Sequence, residues 1–294
     1  MNATPSRPVL RWHGGKWLLA PWIISFFPRH RVYVEPFGGA ASVLLRKPRA
    51  HAEVYNDLDA TVVNVFRVLR DPAKAAELAR RLELTPYARA EFDLSYEPPA
   101  DDIDAAHKTI VRSFMGFGSD SITRTCRTGF RAALTGGADA FPSREWGTFH
   151  QLISVFTERL RGVLIEQRPA VDLFDRTDGP DTLYFLDPPY IISTRTSMAN
   201  GRAAVHGYTH EMTDADHEQL LARIREIDGM VVLSGYHHDT YDRALFDWCR
   251  FERQALADGA RPRTEVLWVN PRCMAALERE GKRNEQLSLL EAAE

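Results

Sequence analysis

The sequence predicts an α/β protein with a mostly parallel central sheet. Leu183 to Leu186 form an unbroken apolar run with two aromatic residues, which is typical of a strand buried on both faces of a parallel sheet. Val32–Phe37 is a β-branched and aromatic strand candidate that runs into a glycine turn and a short helix, the first half of a βαβ unit. Ala52–Tyr55 is a further short strand, followed by Asn56-Asp57. Open α/β sheets bind ligands at the carboxyl ends of their strands, so these strand ends are the candidate site.

Length and composition fit one large α/β domain, or one such domain that carries an insertion. The 294 residues are 44% hydrophobic, and the formal net charge of −3 argues against general coating of nucleic acid but permits a local basic face. The three cysteines form no zinc pattern, and residues 1–8 lack an apolar signal core. The apolar stretch 17–27 is too short to span a bilayer. These features predict a soluble, cytoplasmic protein.

The first motif along the chain is Trp12-His13-Gly14-Gly15-Lys16, which precedes a helical run to Phe27. Paired glycines let the backbone approach a ligand closely, and the N–H groups at the start of a following helix favour an anion. Lys16 adds a positive charge at the same place. The motif is not a P-loop, because the required upstream glycine spacing is missing.

The strand Thr182–Leu186 stops at Asp187-Pro188-Pro189-Tyr190. Two prolines remove two backbone donors and fix two φ angles, so the turn after Asp187 is stiff. It holds a carboxylate, a carbonyl and an aromatic ring at the carboxyl end of a central strand. The alternative is a strand that simply ends in a proline turn. For Asn56-Asp57 the alternative is turn and N-cap chemistry before the next helix.

Four motifs occur in the order seen in Dam-like DNA adenine-N6 methyltransferases, which this chain resembles. They are Trp12-His13-Gly14-Gly15-Lys16, Glu35-Pro36-Phe37-Gly38-Gly39-Ala40, Asn56-Asp57 and Asp187-Pro188-Pro189-Tyr190. The resemblance implies a Rossmann-like methyltransferase sheet, mostly parallel, with an inserted, mainly helical target-recognition domain at 72–145 between methyltransferase parts at 1–71 and 146–294. One departure is Ala41, where many members have the second glycine of Phe-x-Gly-x-Gly. Alanine costs freedom there if the position requires a positive φ.

The resemblance also implies S-adenosyl-L-methionine as the cofactor and double-stranded DNA as the partner. The implied cofactor-binding residues are Trp12, Lys16, Glu35, Phe37, Gly38, Gly39, Asp57 and Asp187. Asp57 would take the ribose hydroxyls. Asp187 and the Pro188 carbonyl would accept the two N–H bonds of a flipped adenine, and Tyr190 would stack on the base. Such an enzyme mainly positions the amine and the methyl group for in-line displacement.

An arginine segment lies where the resemblance places target recognition. Arg112, Arg124, Arg127 and Arg131 are interleaved with serine and threonine residues, and only Asp120 offsets their charge. Arginine with small hydroxyl residues on a flexible loop suits phosphate and base-edge contacts, which predicts DNA binding by these four residues. The alternative is a solvated polar loop.

Periodicity and capping signals predict the remaining elements. Leu58 to Arg70 reads as a helix that Asp71-Pro72 ends, and Arg144–Arg161 as one amphipathic helix that returns to the main domain. Thr213 with Asp216 predicts the N-terminal cap of a helix. Later strands are predicted at Val163–Glu166, Thr182–Leu186, Met230–Leu233 and Glu265–Asn270.

The long connection Ile191–Met212 has no predicted secondary structure and lies directly after the proline motif. Such a segment beside a site is usually a lid or a binding loop. His206, His210 and His217 do not follow a common zinc spacing, so we predict no metal site.

Gln286-Leu287-Ser288-Leu289-Leu290 resembles the short peptide with which bacterial replication proteins dock on the sliding clamp, with Leu290 in place of a final phenylalanine. Gln286 would make polar contacts, and Leu287, Leu289 and Leu290 would fill a pocket. The alternative is a terminal amphipathic turn that packs on the chain's own surface.

Two rival functions stay open. The first is the same chemistry on another amine, namely cytosine-N4, an RNA adenine or a protein glutamine. Aspartate rather than serine or asparagine before Pro-Pro-Tyr, together with the order of the motifs, favours DNA adenine. The second rival is a catalytically silent DNA-binding module that keeps the fold, and the intact Asp187-Pro188-Pro189-Tyr190 weighs against it.

Overall fold

The structure is a computed structural model that describes residues 4–118, 121–122, 127–132, 141–195, 197–199, 202–204, 208–257 and 261–281. The strands are β1 (Val32–Glu35), β2 (Ala52–Asn56), β3 (Val163–Glu166), β4 (Thr182–Leu186), β5 (Ser197–Ala199), β6 (Arg202–Ala204), β7 (Met230–Gly235), β8 (Cys249–Ala257) and β9 (Arg261–Val269). The helices are α1 (Ala20–Ser25), α2 (Ser42–Arg46), α3 (Ala60–Arg70), α4 (Pro72–Leu84), α5 (Arg89–Leu94), α6 (Asp102–Met115), α7 (Pro142–Gly147), α8 (Ile153–Leu160), α9 (Val171–Thr177), α10 (Asp214–Glu226), α11 (Asp239–Ala244) and α12 (Pro271–Arg279).

Seven of these strands form one mixed sheet in the order β3-β2-β1-β4-β7-β9-β8. The pairings from β3 to β7 are parallel, and β9 is antiparallel to both of its neighbours. Helices flank the sheet, so the predicted α/β, Rossmann-like and mostly parallel class is confirmed. The strand order reverses between β1 and β4, because β2 lies on one side of β1 and β4 on the other. Such a switch point is where open α/β sheets bind their ligands.

Alternate residues of β4 face two different apolar cores. Leu183 and Phe185 pack in one cluster with residues of α1 to α8 and α12, whereas Tyr184 and Leu186 pack in a second cluster with α9, α10 and α11. The helices of the predicted insert therefore share the core of the first face, and the predicted domain boundaries stay predictions. No helix in the described ranges is long and apolar enough to cross a membrane.

Several local predictions agree with the structure. The strands β3 and β4 have the predicted bounds, and β1 ends at Glu35, two residues earlier than expected. Asp71 ends α3 and also caps α4, since its side chain accepts hydrogen bonds from the N–H groups of Ala73 and Lys74. Thr213 and Asp216 form a reciprocal capping box at the start of α10. These caps satisfy backbone N–H groups at the start of α4 and α10 with side chains that are adjacent in the sequence.

Other element predictions are wrong. The segment 144–161 is not one helix, because α7 begins at Pro142 and stops at Gly147-Thr148, and a 3-10 turn (Phe149–Leu152) separates it from α8. The late strand runs from 261 to 269, since the unpredicted β8 pairs along its whole length, and Asn270 caps α12 instead. The connection 191–212 contains a 3-10 turn and the paired strands β5 and β6, so its described part is not structureless.

Candidate active site

A cleft opens at the carboxyl ends of β1, β2 and β4, at the switch point of the sheet. It brings together the predicted cofactor-binding residues, which come from four separate stretches of the chain. Those that line it are Trp12, Lys16, Glu35, Phe37, Gly38, Gly39, Asp57 and Asp187. Pro189 also borders the cleft, whereas Pro188 and Tyr190 are buried and are not among its lining residues.

A buried ion pair joins the first motif to the proline motif. Lys16 Nζ lies 2.9 Å from Asp187 Oδ2 and donates a hydrogen bond of 2.8 Å to the Gly14 carbonyl. Burial opposes the Lys16 charge, but the neighbouring Asp187 and Glu265 carboxylates raise the pKa of Lys16 overall, so the ammonium stays charged. Burial raises the pKa of Asp187, and the Lys16 ammonium counteracts that rise. The pair therefore holds a carboxylate in a largely dry site.

The second oxygen of this carboxylate, Asp187 Oδ1, is buried and has no well-formed hydrogen bond from the described residues, although the Tyr190 and Ser234 hydroxyls lie close enough to oppose the rise in the pKa of Asp187. A buried acceptor that is left without a donor costs roughly 1–3 kcal/mol. The proline turn fixes the carboxylate at this position, because neither Pro188 nor Pro189 can adjust its φ angle. The arrangement thus presents an acceptor that a ligand N–H group could satisfy.

Tyr190 follows the two prolines and is held by contacts that the sequence did not reveal. Its hydroxyl donates to Glu265 Oε2 at 2.8 Å and lies 3.0 Å from Ser234 Oγ. The Lys16 ammonium lies 4.8 Å from the centre of the Tyr190 ring, and the Tyr236 ring packs edge-on at 4.6 Å. The available sign of Glu265 was a charged residue directly before the apolar run Val266–Val269.

The glycine turn after β1 fits the cleft because side chains there would collide with aromatic rings. A Cβ atom on Gly38 would lie 2.2 Å from Cε2 of Tyr55. Gly39 has φ +46°, and a Cβ atom there would lie 2.7 Å from Nε1 of Trp12. Ala41, the departure noted in the sequence, does adopt a positive φ of 52°. The turn therefore keeps its left-handed residue although alanine occupies the position.

Asp57 ties the end of β2 to the glycine turn. Its Oδ2 accepts the Gly39 N–H at 2.8 Å, and its Oδ1 accepts the Asp59 N–H at 2.9 Å. Burial raises the pKa of Asp57, and these two backbone donors oppose the rise. Asp57 therefore makes a local turn contact, and the cap of α3 is Asp59, which accepts from the Thr61 N–H. Ribose binding by Asp57 stays a prediction.

Glu35 joins β1 to α2 at the floor of the cleft. Its Oε2 accepts the Tyr33 hydroxyl at 2.7 Å and the Leu44 N–H at 3.0 Å. Burial raises the pKa of Glu35 to about 8, although the Tyr33 and Leu44 hydrogen bonds oppose the rise. Glu35 is therefore a structural link as well as a lining residue.

The chain beyond β6 reaches the cleft, in the connection 191–212 that the sequence indicates as a lid or binding loop but for which it identifies no individual site residue. Residues 208–212 line it, and the Tyr208 ring lies 5.1 Å from the His13 ring. Thr209 Oγ1 donates to Asp59 Oδ2 at 3.0 Å. Glu211 forms an ion pair with Arg195. This segment, which we call the strap (208–212), borders the cleft on the side of the first motif.

The three described arginines of the predicted DNA-binding set contact the chain itself and do not line the cleft. Arg127 pairs with Asp93 at the surface, and its guanidinium lies 4.7 Å from the centre of the Tyr96 ring. Arg112 lies 5.7 Å from the same ring. Arg131 Nη1 lies 3.8 Å from Glu145 Oε2. DNA binding by these residues stays a prediction.

Other predictions fall outside the described residues. Arg124, His206 and the clamp-like residues Gln286, Leu287, Leu289 and Leu290 belong to this group. In the part of the chain that the structure describes, no three histidine, cysteine or acidic side chains cluster as a metal site would require.

Comparison with known proteins gives a family match. A family model described as D12 class N6 adenine-specific DNA methyltransferase matches residues 12–246. A DNA adenine methylase of Vibrio cholerae serotype O1 (strain O395) is 26% identical over 249 residues, which cover 82% of this chain and 84% of the relative. A DNA adenine methylase of Haemophilus influenzae is 22% identical over 264 residues, 84% of this chain and 85% of the relative.

Proposed function

This chain belongs to the D12 class N6 adenine-specific DNA methyltransferases, and from that premise we propose that it methylates an adenine flipped out of duplex DNA, with S-adenosylmethionine as the donor. Family membership decides among the amines that the sequence left open, in favour of adenine in DNA. It also makes the chain an enzyme rather than a silent DNA-binding module.

The observation that carries the proposal is the fixed Asp187 carboxylate at the switch-point cleft, with one oxygen paired to Lys16 and the other without a well-formed hydrogen bond from the described residues. The adenine amine offers two N–H groups. In our proposal Asp187 Oδ1 accepts one and the Pro188 carbonyl accepts the other, which leaves the nitrogen lone pair directed at the methyl group. The carboxylate also stabilises the positive charge that develops on the nitrogen.

The same cleft has side chains that suit the donor. S-adenosylmethionine would supply a methyl group already activated on a sulfonium centre. Asp57 lies at the end of β2, where an acidic side chain accepts ribose hydroxyls in related folds, and each of its oxygens keeps a lone pair beyond its backbone contact. Trp12 and Phe37 provide aromatic surface in the lining, and the Asp57 carboxylate provides negative charge that favours a cation.

Tyr190 would stack on the extruded base. Stacking on an aromatic ring contributes about 1–3 kcal/mol per base, which offsets part of the cost of removing the base from the helix. Because Tyr190 is next to the proline turn and is fixed through its hydroxyl, its ring is already oriented before the base arrives.

The test is methyl transfer by the purified protein to duplex DNA that lacks methylated adenine, followed by mass spectrometry of the nucleosides. We expect N6-methyladenine from the wild type and none from Asp187→Ala. The matched control, Asp175→Ala, removes an exposed carboxylate that does not line the cleft and should keep wild-type activity. Near wild-type activity of Asp187→Ala, or methyl label on another base, would overturn the proposal.

Base flipping is tested separately with 2-aminopurine in place of the target adenine. Its fluorescence should rise when protein and S-adenosylhomocysteine are added, since the probe leaves the base stack. If the protein methylates DNA but the fluorescence does not rise, the proposed methyltransferase activity stands and the proposed base flipping is wrong.

A further inference from the structure

A buried polar cluster lies behind Tyr190 on two neighbouring strands. Tyr190 and Glu265 are each 7% exposed, and Ser234 is 1% exposed. Ser234 belongs to β7, and Glu265 belongs to the antiparallel β9. Because Val266 pairs with Gly235, Glu265 lies just past the carboxyl end of β7. The reversed strand thus brings a carboxylate to the same sheet edge as the proline motif.

The hydrogen-bond donors in this cluster can be assigned. The Tyr190 hydroxyl has one proton, and the Glu265 carboxylate at 2.8 Å is an acceptor. The proton of the 3.0 Å contact between Tyr190 and Ser234 therefore comes from Ser234, and the phenol oxygen accepts it. A hydrogen bond to a charged acceptor is about twice as strong as a neutral one. Together the two contacts fix the far end of the Tyr190 ring.

A buried carboxylate at position 265 lowers the stability of the fold unless it is hydrogen-bonded or paired with a cation. The residues that follow on β9, Val266 to Val269, are all buried and apolar, so an apolar side chain would suit that strand. Burial raises the pKa of Glu265, while the nearby Lys16 ammonium opposes the rise. The free-energy cost of removing a carboxylate from water is offset only by hydrogen bonds or ion pairs of good geometry. Among the described residues, the Tyr190 hydroxyl donates a hydrogen bond to the Glu265 carboxylate.

We infer that Glu265 and Ser234 are positioning residues for methyl transfer, which hold the Tyr190 ring at the angle the flipped base requires. This inference rests on the proposed function. Lys16 links the two parts of the site, because its ammonium lies 4.8 Å from the Tyr190 ring centre and 2.9 Å from Asp187 Oδ2. A rotation of the ring would therefore move the stacking surface relative to the carboxylate that receives the amine.

The experiment compares Glu265→Gln, Tyr190→Phe and the double variant, each as a full-length protein. Each single change should lower kcat about tenfold, the size expected for one hydrogen bond to a charged group, with KM for DNA and affinity for S-adenosylmethionine unchanged. The double variant should be no slower than Tyr190→Phe alone, because Glu265→Gln weakens the same hydrogen bond that Tyr190→Phe removes. A purely structural role would not give this split between kcat and KM together with non-additivity.

Controls separate the possible failures. Glu252→Gln changes a half-exposed acid on the neighbouring β8 and should keep the wild-type kcat. If Glu265→Gln does not fold, Ser234→Ala tests the same ring with a smaller change, and we expect a several-fold fall in kcat alone. Losses in the double variant that multiply, or an unchanged kcat in the single variants, would overturn the inference. A wild-type protein that transfers no methyl group would instead refute the proposed function.

Discussion

The cleft and the described part of the arginine segment (112–118, 121–122 and 127–131) are held by different kinds of contact. In the cleft, short side chains bind backbone groups at strand ends, as Asp57 does with the Gly39 N–H. In the arginine segment, the long side chain of Arg127 reaches an exposed partner, Asp93, and both side chains are 51% exposed. Backbone contacts at strand ends leave little choice of geometry, whereas long charged side chains have many rotamers and weak, screened pairings.

The difference shows which kind of site a sequence can specify. A glycine turn, a proline turn and a strand end each restrict φ and ψ, so a motif in the sequence implies a position in space. An arginine restricts neither angle. Its contacts in the free protein therefore need not be its contacts on DNA, and four experiments test how far this contrast holds.

The largest effect should separate Lys16→Ala from Arg127→Ala. Loss of Lys16 leaves the buried Asp187 carboxylate without its cation, a change that costs about 3–5 kcal/mol when one partner of a buried pair is removed. We expect a lower melting temperature and weaker binding of S-adenosylmethionine, measured by calorimetry without DNA.

Arg127→Ala removes an exposed pair and should cost at most about 1 kcal/mol of stability. It should leave cofactor binding intact and weaken DNA binding, with a shallower salt dependence if the guanidinium contacts a phosphate. Normal DNA binding by this variant would show that the DNA-binding surface lies elsewhere.

The next effect compares one glycine from each region. In Gly38→Ala the new methyl group would meet the Tyr55 ring at 2.2 Å, which forces a shift worth about 1–3 kcal/mol and distorts the cofactor cleft. Nothing lies within 4 Å of a Cβ atom on Gly129, so Gly129→Ala is its matched control. Thermal melts and cofactor titrations should show a loss for Gly38→Ala alone. Equal tolerance at the two positions would remove the contrast.

Much of the cleft could be predicted because its determinants are local. The strand ends, the glycine turn and the proline turn each follow from a few adjacent residues. The sequence left the positive φ of Ala41 as a condition, and the structure supplies it. The contributions of Ser234 and Glu265 could not be predicted, since they depend on β9 running antiparallel to β7. The edge strand β8 carries Arg250, Glu252 and Arg253, and such charged residues on an edge strand resemble a loop in the sequence.

A smaller effect concerns the pH dependence of stability. Glu35 has a pKa near 8 in the folded protein, against an ordinary value of 4.5. Between these values the folded chain keeps a proton that the unfolded chain has released. Its contribution is therefore full below pH 4.5 and is lost as the pH rises through 8. The free energy of unfolding should fall by up to about 1.4 kcal/mol per pH unit in this window.

Denaturant titrations across that window should show a flatter profile for Glu35→Gln, which cannot ionise. The control is Glu145→Gln, because Glu145 is an exposed acid that pairs with Arg131 of the arginine segment. Its profile should match that of the wild type. A wild-type slope that survives in Glu35→Gln would mean that other groups cause it.

The smallest effect is expected at Ala41, the position where the chain departs from the family pattern. Ala41 is fully buried with φ 52° and ψ 34° at the start of α2. Glycine would relieve left-handed strain of about 1–2 kcal/mol. It would also lose a buried methyl group worth about 0.8 kcal/mol and gain about 0.4–1 kcal/mol of unfolded-state entropy. These terms nearly cancel, so Ala41→Gly should change the free energy of unfolding by less than about 1 kcal/mol and leave cofactor affinity unchanged.

Ala41→Val has a β-branched side chain at the same φ and should be clearly destabilised in the same denaturant titration. A large gain in stability from glycine would show that the turn is strained in a way that its backbone contacts do not relieve.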